Sequence, residues 1–77
     1  MIFLIEYDRD RGRLITFKKF EDSERKRAED ARLELELELN RVGTNYEVVV
    51  LEAASEDAVR RTHRRYFEDL ADLVKVP

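Results

Sequence analysis

The chain begins with a seven-residue run, MIFLIEY, in which only Glu6 is polar. A β-branched and aromatic run of that length, closed by Asp8, reads as a strand. DRDRG follows, with Asp8 and Gly12 suited to a turn, and then RLITFKKF reads as a second strand. So short a connection makes an antiparallel hairpin. Alternation puts Phe3, Ile5 and Tyr7 on one face of the first strand and Ile15 with Phe17 on one face of the second.

Residues 21–43 carry two periodicities at once. At about 100° per residue Ala28, Ala31, Leu35, Leu39 and Val42 fall on one stripe, as a core-facing helix requires. RLELELEL also alternates strictly, which is the pattern of a half-buried strand over residues 32–39. Composition decides for helix, because Leu, Glu, Ala and Arg favour it and residues 24–41 hold no β-branched or aromatic side chain. Asp22 or Ser23 suits its N-cap and Gly43 its C-terminal turn.

YEVVVLEA is a third strand, apolar on both faces. Ser55 caps a final helix with Glu56 and Asp57 in its first turn. Its inner stripe is Val59, Thr62, Tyr66, Leu70 and Leu73, flanked by His63, Phe67 and Val74. LVKVP either completes that helix or leaves it as an extended tail. The pattern predicts a single α+β domain over residues 1–77, a two-layer ββαβα arrangement. A crossover through the first helix sets strand three parallel to strand two, giving a three-stranded antiparallel sheet in the order 2-1-3. Both helices are expected on one face of it.

Seventy-seven residues with two glycines, one proline and 43% charged positions leave little room for loop. A chain this short buries only about 60% of its unfolded surface, so its stability margin is narrow. With no cysteine there is no disulfide framework and no thiolate ligand or nucleophile. The first apolar run is too short to span a bilayer and has no basic flank, so it reads as neither a signal segment nor a membrane anchor. A cytoplasmic protein is the expectation.

The net charge of −3 is unevenly spread: residues 1–20 hold five bases against three acids, and 21–38 hold eight acids against four bases. A dedicated nucleic-acid binder is usually basic overall, and this chain is not. The densest basic stretch is RRTHRRYFE, residues 60–68. On a helix Arg60, Arg61, Arg64 and Arg65 lie on the outward side, where guanidinium groups could hold phosphate or carboxylate. The same residues form two rows spaced four apart, Glu56–Arg60–Arg64–Glu68 and Asp57–Arg61–Arg65–Asp69. Each runs acid, base, base, acid, so a solvated ion-pair face accounts for them.

His63 is the single histidine, and without cysteine or a second histidine a transition-metal site has too few donors. Asp8 and Asp10 with Glu6 are interleaved with Arg9 and Arg11, which favours a turn over a cation site. Gly12 and Gly43 stand alone, so no phosphate loop exists. No metal and no cofactor is called for, and no catalytic set emerges.

The surplus of apolar side chains is more informative. Leu33 and Leu37 point away from the helix's inner stripe. With Ile5, Phe17 and Val48 facing the helices, Leu4, Leu14, Val49 and Leu51 face outward beside Glu6, Lys18 and Glu47. Contiguous exposed apolar residues mark interfaces. The expectation is therefore a non-enzymatic protein–protein interaction module, a homodimer through the open sheet face or the first helix. The alternative is a nucleic-acid or anionic-ligand binder using the arginine face of the last helix.

Overall fold

The structure is a computed structural model and describes residues 1–68. Leu70, Leu73 and Val74 of the expected inner stripe lie outside the described residues, as does the LVKVP tail. Strand β1 spans Ile2–Asp8 and β2 spans Arg13–Phe20. A 3₁₀ turn at Asp22–Glu24 leads into helix α1, Arg25–Val42. Strand β3, Glu47–Glu52, follows, then helix α2, Glu56–Thr62, and a second 3₁₀ turn, Arg64–Phe67.

The sheet has the order β2-β1-β3, with β1 antiparallel to both neighbours. Asp8 closes the hairpin. Its Oδ1 accepts from the amides of Asp10 and Arg11 at 3.1 and 3.2 Å, and Gly12 takes the left-handed φ of 65° that the turn needs. Residues 32–39 are helical, so composition overrode the alternation. Gly43 ends α1 with a φ of 75°, and the Thr44 amide donates to the Leu39 carbonyl at 3.0 Å.

Helix α1 starts later than Asp22 or Ser23 suggested. The Glu24 carboxylate accepts from the Glu21 amide at 2.9 Å, and the 3₁₀ turn precedes the first α-helical residue. Ala28 is buried and Ala31, Leu35 and Leu39 are half-buried, whereas Val42 is 51% exposed and leaves the expected stripe. Val42 is the last residue of α1, next to the Gly43 terminus.

The two helices do not share a face of the sheet. Every residue of β1 is buried, Ile2 and Leu4 as completely as Phe3 and Ile5. A strand buried on both sides needs cover on both sides. Register fixes which side is which, because cross-strand partners share a face. Phe3, Ile5 and Tyr7 lie opposite Lys19, Phe17 and Leu14 on β2 and opposite Leu51, Val49 and Glu47 on β3. This face carries a cluster of Ile5, Tyr7 and Tyr66 with Leu14, Phe17, Val49, Leu51 and Phe67 packed against it. The chain after β3 covers it, and Lys19 reaches Glu56 of α2 at 3.2 Å.

The other face holds Ile2, Leu4 and Glu6 with Phe20, Lys18 and Thr16 on β2 and Glu52, Val50 and Val48 on β3. It lies under α1. Shallow grooves along the helix are lined on one side by Lys18 and Phe20 with Arg27 and Ala31, and on the other by Val48 with Leu39 and Asn40. Arg25 of α1 also pairs with Glu52.

Two local features moved the expected faces. On β2 the register shifts between Glu6 and Tyr7, so Thr16 pairs with Glu6 and Leu14 with Tyr7, and Ile15 is the extra residue, 43% exposed. On β3 the ladder is one residue away from the expected register, so Val49, not Val48, shares the face of Ile5 and Phe17. A one-residue slip transfers a whole strand's side chains to the opposite face. Leu4, Leu14, Val49 and Leu51 therefore do not form an open outer surface. Leu4 is fully buried beneath α1, and the other three are half-buried in the Tyr66 cluster.

Candidate functional site

The arginine-rich segment folds in two pieces. Ser55 caps α2 as its sequence implies, accepting from the Ala58 amide at 3.1 Å. The helix then stops at Thr62, and His63 takes a non-helical φ/ψ of −126° and 52°. Thr62 was expected on the inner stripe and is instead exposed, with Oγ1 donating back to the Ala58 carbonyl at 2.9 Å. That back-bonding competes with the regular ladder and bends helices. The break swings the 3₁₀ turn down so that Tyr66 is buried and Phe67 half-buried.

Although the helix breaks at His63, the first row keeps its pairs Glu56–Arg60 and Arg64–Glu68, while Asp69 of the second row lies outside the described residues. The four arginines end in different places. Arg60 donates to Glu56 at 2.9 Å and lies 4.5 Å above the Phe67 ring and 5.5 Å from that of Phe17. Arg65 donates to Glu47 Oε2 at 2.8 Å and to the Tyr66 hydroxyl at 2.7 Å, stacked 4.2 Å over the Tyr66 ring. Both use a flat guanidinium as a lid on an aromatic face, with the head group in water and a carboxylate beside it. Arg64 pairs with Glu68 at 3.2 Å, and Arg61 only reaches the Asp57 backbone carbonyl, at 3.4 Å. Arg60 and Arg65 thus both pair with a carboxylate and lie over rings of the aromatic cluster.

The polar centre of this face is Glu47. The Tyr66 hydroxyl donates to its Oε2 at 2.5 Å beside the Arg65 bond, while Oε1 is buried with no hydrogen-bond partner. Burial pushes the Glu47 carboxyl up, but hydrogen bonds from Tyr66 and Arg65 and the charges of Arg65 and Arg9 outweigh it and hold it below its ordinary value. Burial, followed by the bond to the Glu47 carboxylate, pushes the Tyr66 phenol up to about 12. Lys19 and Arg60 converge on Glu56, and the hydrogen bond from Arg60 is the main reason its carboxyl is held low. This network was not foreseen from the sequence, where Glu47 was placed on the outer sheet face. A tyrosine on an inner stripe needs a partner for its hydroxyl, and that need is the signal that could have found it.

His63 is half-buried, with Nδ1 2.9 Å from Thr62 Oγ1 and its ring stacked on Tyr66 at 6.4 Å between centroids. Its hydrogen-bonded neighbour among the described residues is that hydroxyl. Among the described residues no group of three or more His, Asp or Glu could hold a metal ion, and no helix is long and apolar enough to cross a membrane.

The helix pair behaves as its periodicity implied. Leu33 and Leu37 are 57% and 60% exposed, one turn apart on the outer side of α1. Around them lie Glu29, Asp30, Glu34 and Glu36, and ion pairs such as Arg32–Glu36 at 2.6 Å and Glu38–Arg41 at 2.5 Å lace the surface. Comparison of the chain with protein-family models, with curated proteins and with solved structures finds no match. Its function must be read from its own surface.

Proposed function

We propose that the chain is a small non-enzymatic protein–protein interaction module that works as a homodimer. The observation that supports this reading is apolar surface which the described residues leave uncovered. Leu33 and Leu37 stand exposed on α1, and β3 is an edge strand whose valines, although covered on both faces, are only half-buried. A domain with a core this thin gains from burying such surface against a second copy. The sheet faces are closed by α1 and by the α2 segment, which leaves the outer ridge of α1 and the outer edge of β3.

The arginine face favours anion binding less than its composition suggested, since Arg60 and Arg65 are engaged with Glu56 and Glu47. Mass in solution tests the proposal. Light scattering at micromolar concentration should give twice the chain mass, and a strict monomer would remove the reading.

A further inference from the structure

Of the two uncovered surfaces, the edge of β3 carries the stronger argument. Met1 and Ala53 exchange both backbone hydrogen bonds, at 2.9 and 3.1 Å. In an antiparallel ladder such pairs alternate with pairs that do not bond to each other. With the register of β1 and β3, the amides and carbonyls of Glu47, Val49 and Leu51 therefore point to β1, and those of Val48, Val50 and Glu52 point outward. Among the described residues no strand pairs with that outer edge. The opposite edge, on β2, is protected by the irregularity at Ile15 and by Arg13, Lys18 and Lys19. The edge of β3 has no charge between Glu47 and Glu52 and no bulge.

We infer that β3 pairs antiparallel with β3 of a second copy about a two-fold axis, making one six-stranded sheet. The inference rests on the homodimer reading and names its interface. Outward-pointing groups on even-numbered residues are self-complementary. Centred on Val49, Val48 meets the copy's Val50 and Glu47 meets the copy's Leu51, so no glutamate faces a glutamate. The helices supply the second argument. Helix α1 lies mainly over β1 and β3. Strands about 4.8 Å apart then place the two α1 axes about 10 Å apart across the axis. That is the ordinary packing distance of helices, about 8–10 Å. The flank of α1 on the β3 side is fixed by Arg25, which bonds Glu52, and by Glu36, which lines the groove beside Tyr46 and Val48. Along it the exposed charges alternate: Arg25, Glu29, Arg32, Glu36. An antiparallel copy sets Arg32 against the copy's Glu29 and Arg25 against the copy's Glu36, each contact made twice by symmetry.

Three variants, followed by light scattering over a dilution series, test this. Val50→Pro removes an outward amide while leaving the bonds to β1 in place, and should abolish the dimer. Arg32→Glu should weaken dimerisation about tenfold, equivalent to about 1.4 kcal/mol. Exchanging the charges, with Glu29→Arg added to Arg32→Glu, should restore it. If Val50→Pro fails to fold by circular dichroism, the loss and rescue in the charge pair decide alone. A wild-type dimer that ignores the charge variants, or one dissolved only by Leu33→Glu with Leu37→Glu, overturns the edge and leaves the homodimer standing. A wild-type monomer overturns both.

Discussion

The two faces of the sheet are covered by different means. Under α1 the cover is one long amphipathic helix, eighteen residues laid over Ile2, Leu4, Val48, Val50 and Phe20. On the other face the cover is a seven-residue helix and a 3₁₀ turn too short to bury much by themselves. Aromatic pairs make up the difference: Tyr7 with Tyr66 at 5.2 Å, Phe17 with Phe67 at 5.3 Å, both edge to face, and Phe3 stacked on Phe17 at 5.5 Å. Arg60 and Arg65 lie over those rings with their carboxylates at Glu56 and Glu47. A short cover can close a sheet face if its rings are large and its cations lie flat. The arginine cluster, which reads in sequence as a solvated ion-pair face, is on this comparison also part of the outer layer of the aromatic core.

The largest effects should come from thinning both covers equally. Leu4→Ala under α1 and Ile5→Ala under the aromatic cluster should each cost about 2–5 kcal/mol in denaturant unfolding. Equality is the informative result, because a sheet open on one side would make one of the two nearly silent. Next comes Tyr66→Phe, which strips Glu47 of a donor without changing the ring. It should cost about 0.5–1.5 kcal/mol, the net worth of one hydrogen bond, because Arg65 still donates to the same oxygen.

The same pair sets the pH response of this face. Tyr66 has its phenol raised from 10.0 to about 12, so the folded state holds that proton more tightly than the unfolded chain. Its contribution is complete below pH 10 and is lost as pH rises through 12. Glu47 is held below its ordinary 4.5, so its contribution is present above that value and is lost on acidification below it. Thermal unfolding midpoints should fall at both ends, and Tyr66→Phe should flatten the alkaline limb. Removing the Ser55 cap with Ala should cost about 1 kcal/mol and loosen only the aromatic side. At the small end, Leu33→Glu should leave monomer stability within about 0.5 kcal/mol, since that leucine is exposed on the outer side of α1, away from the sheet.

How much of this was legible follows from what each element requires. The order β2-β1-β3 was readable because hairpin length and crossover geometry leave few alternatives. Helix α1 was readable because a stretch without β-branched residues settles a tie between two periodicities. The faces were not, because VVVL is apolar at every position and alternation cannot say which half points where. Only the register with β1 decides it, and the irregularity at Ile15 turned Leu14 as well. The apolar character of β1 and β3 on both sides was itself the sign that two covers were needed. The break at His63 escaped because Arg60–Phe67 has no Gly or Pro to announce it. The ring of Tyr66 reaches Tyr7 and Glu47 through tertiary packing that spacing within one helix does not encode.

The most direct test of the two-cover arrangement is a set of side-chain proximities from nuclear Overhauser spectra of the full chain. Leu4 and Val50 methyls should show cross-peaks to α1 and none to the Tyr66 or Phe67 rings, while Ile5 and Val49 should show the reverse. Cross-peaks from α1 and from the Tyr66 ring to the same sheet face would contradict it.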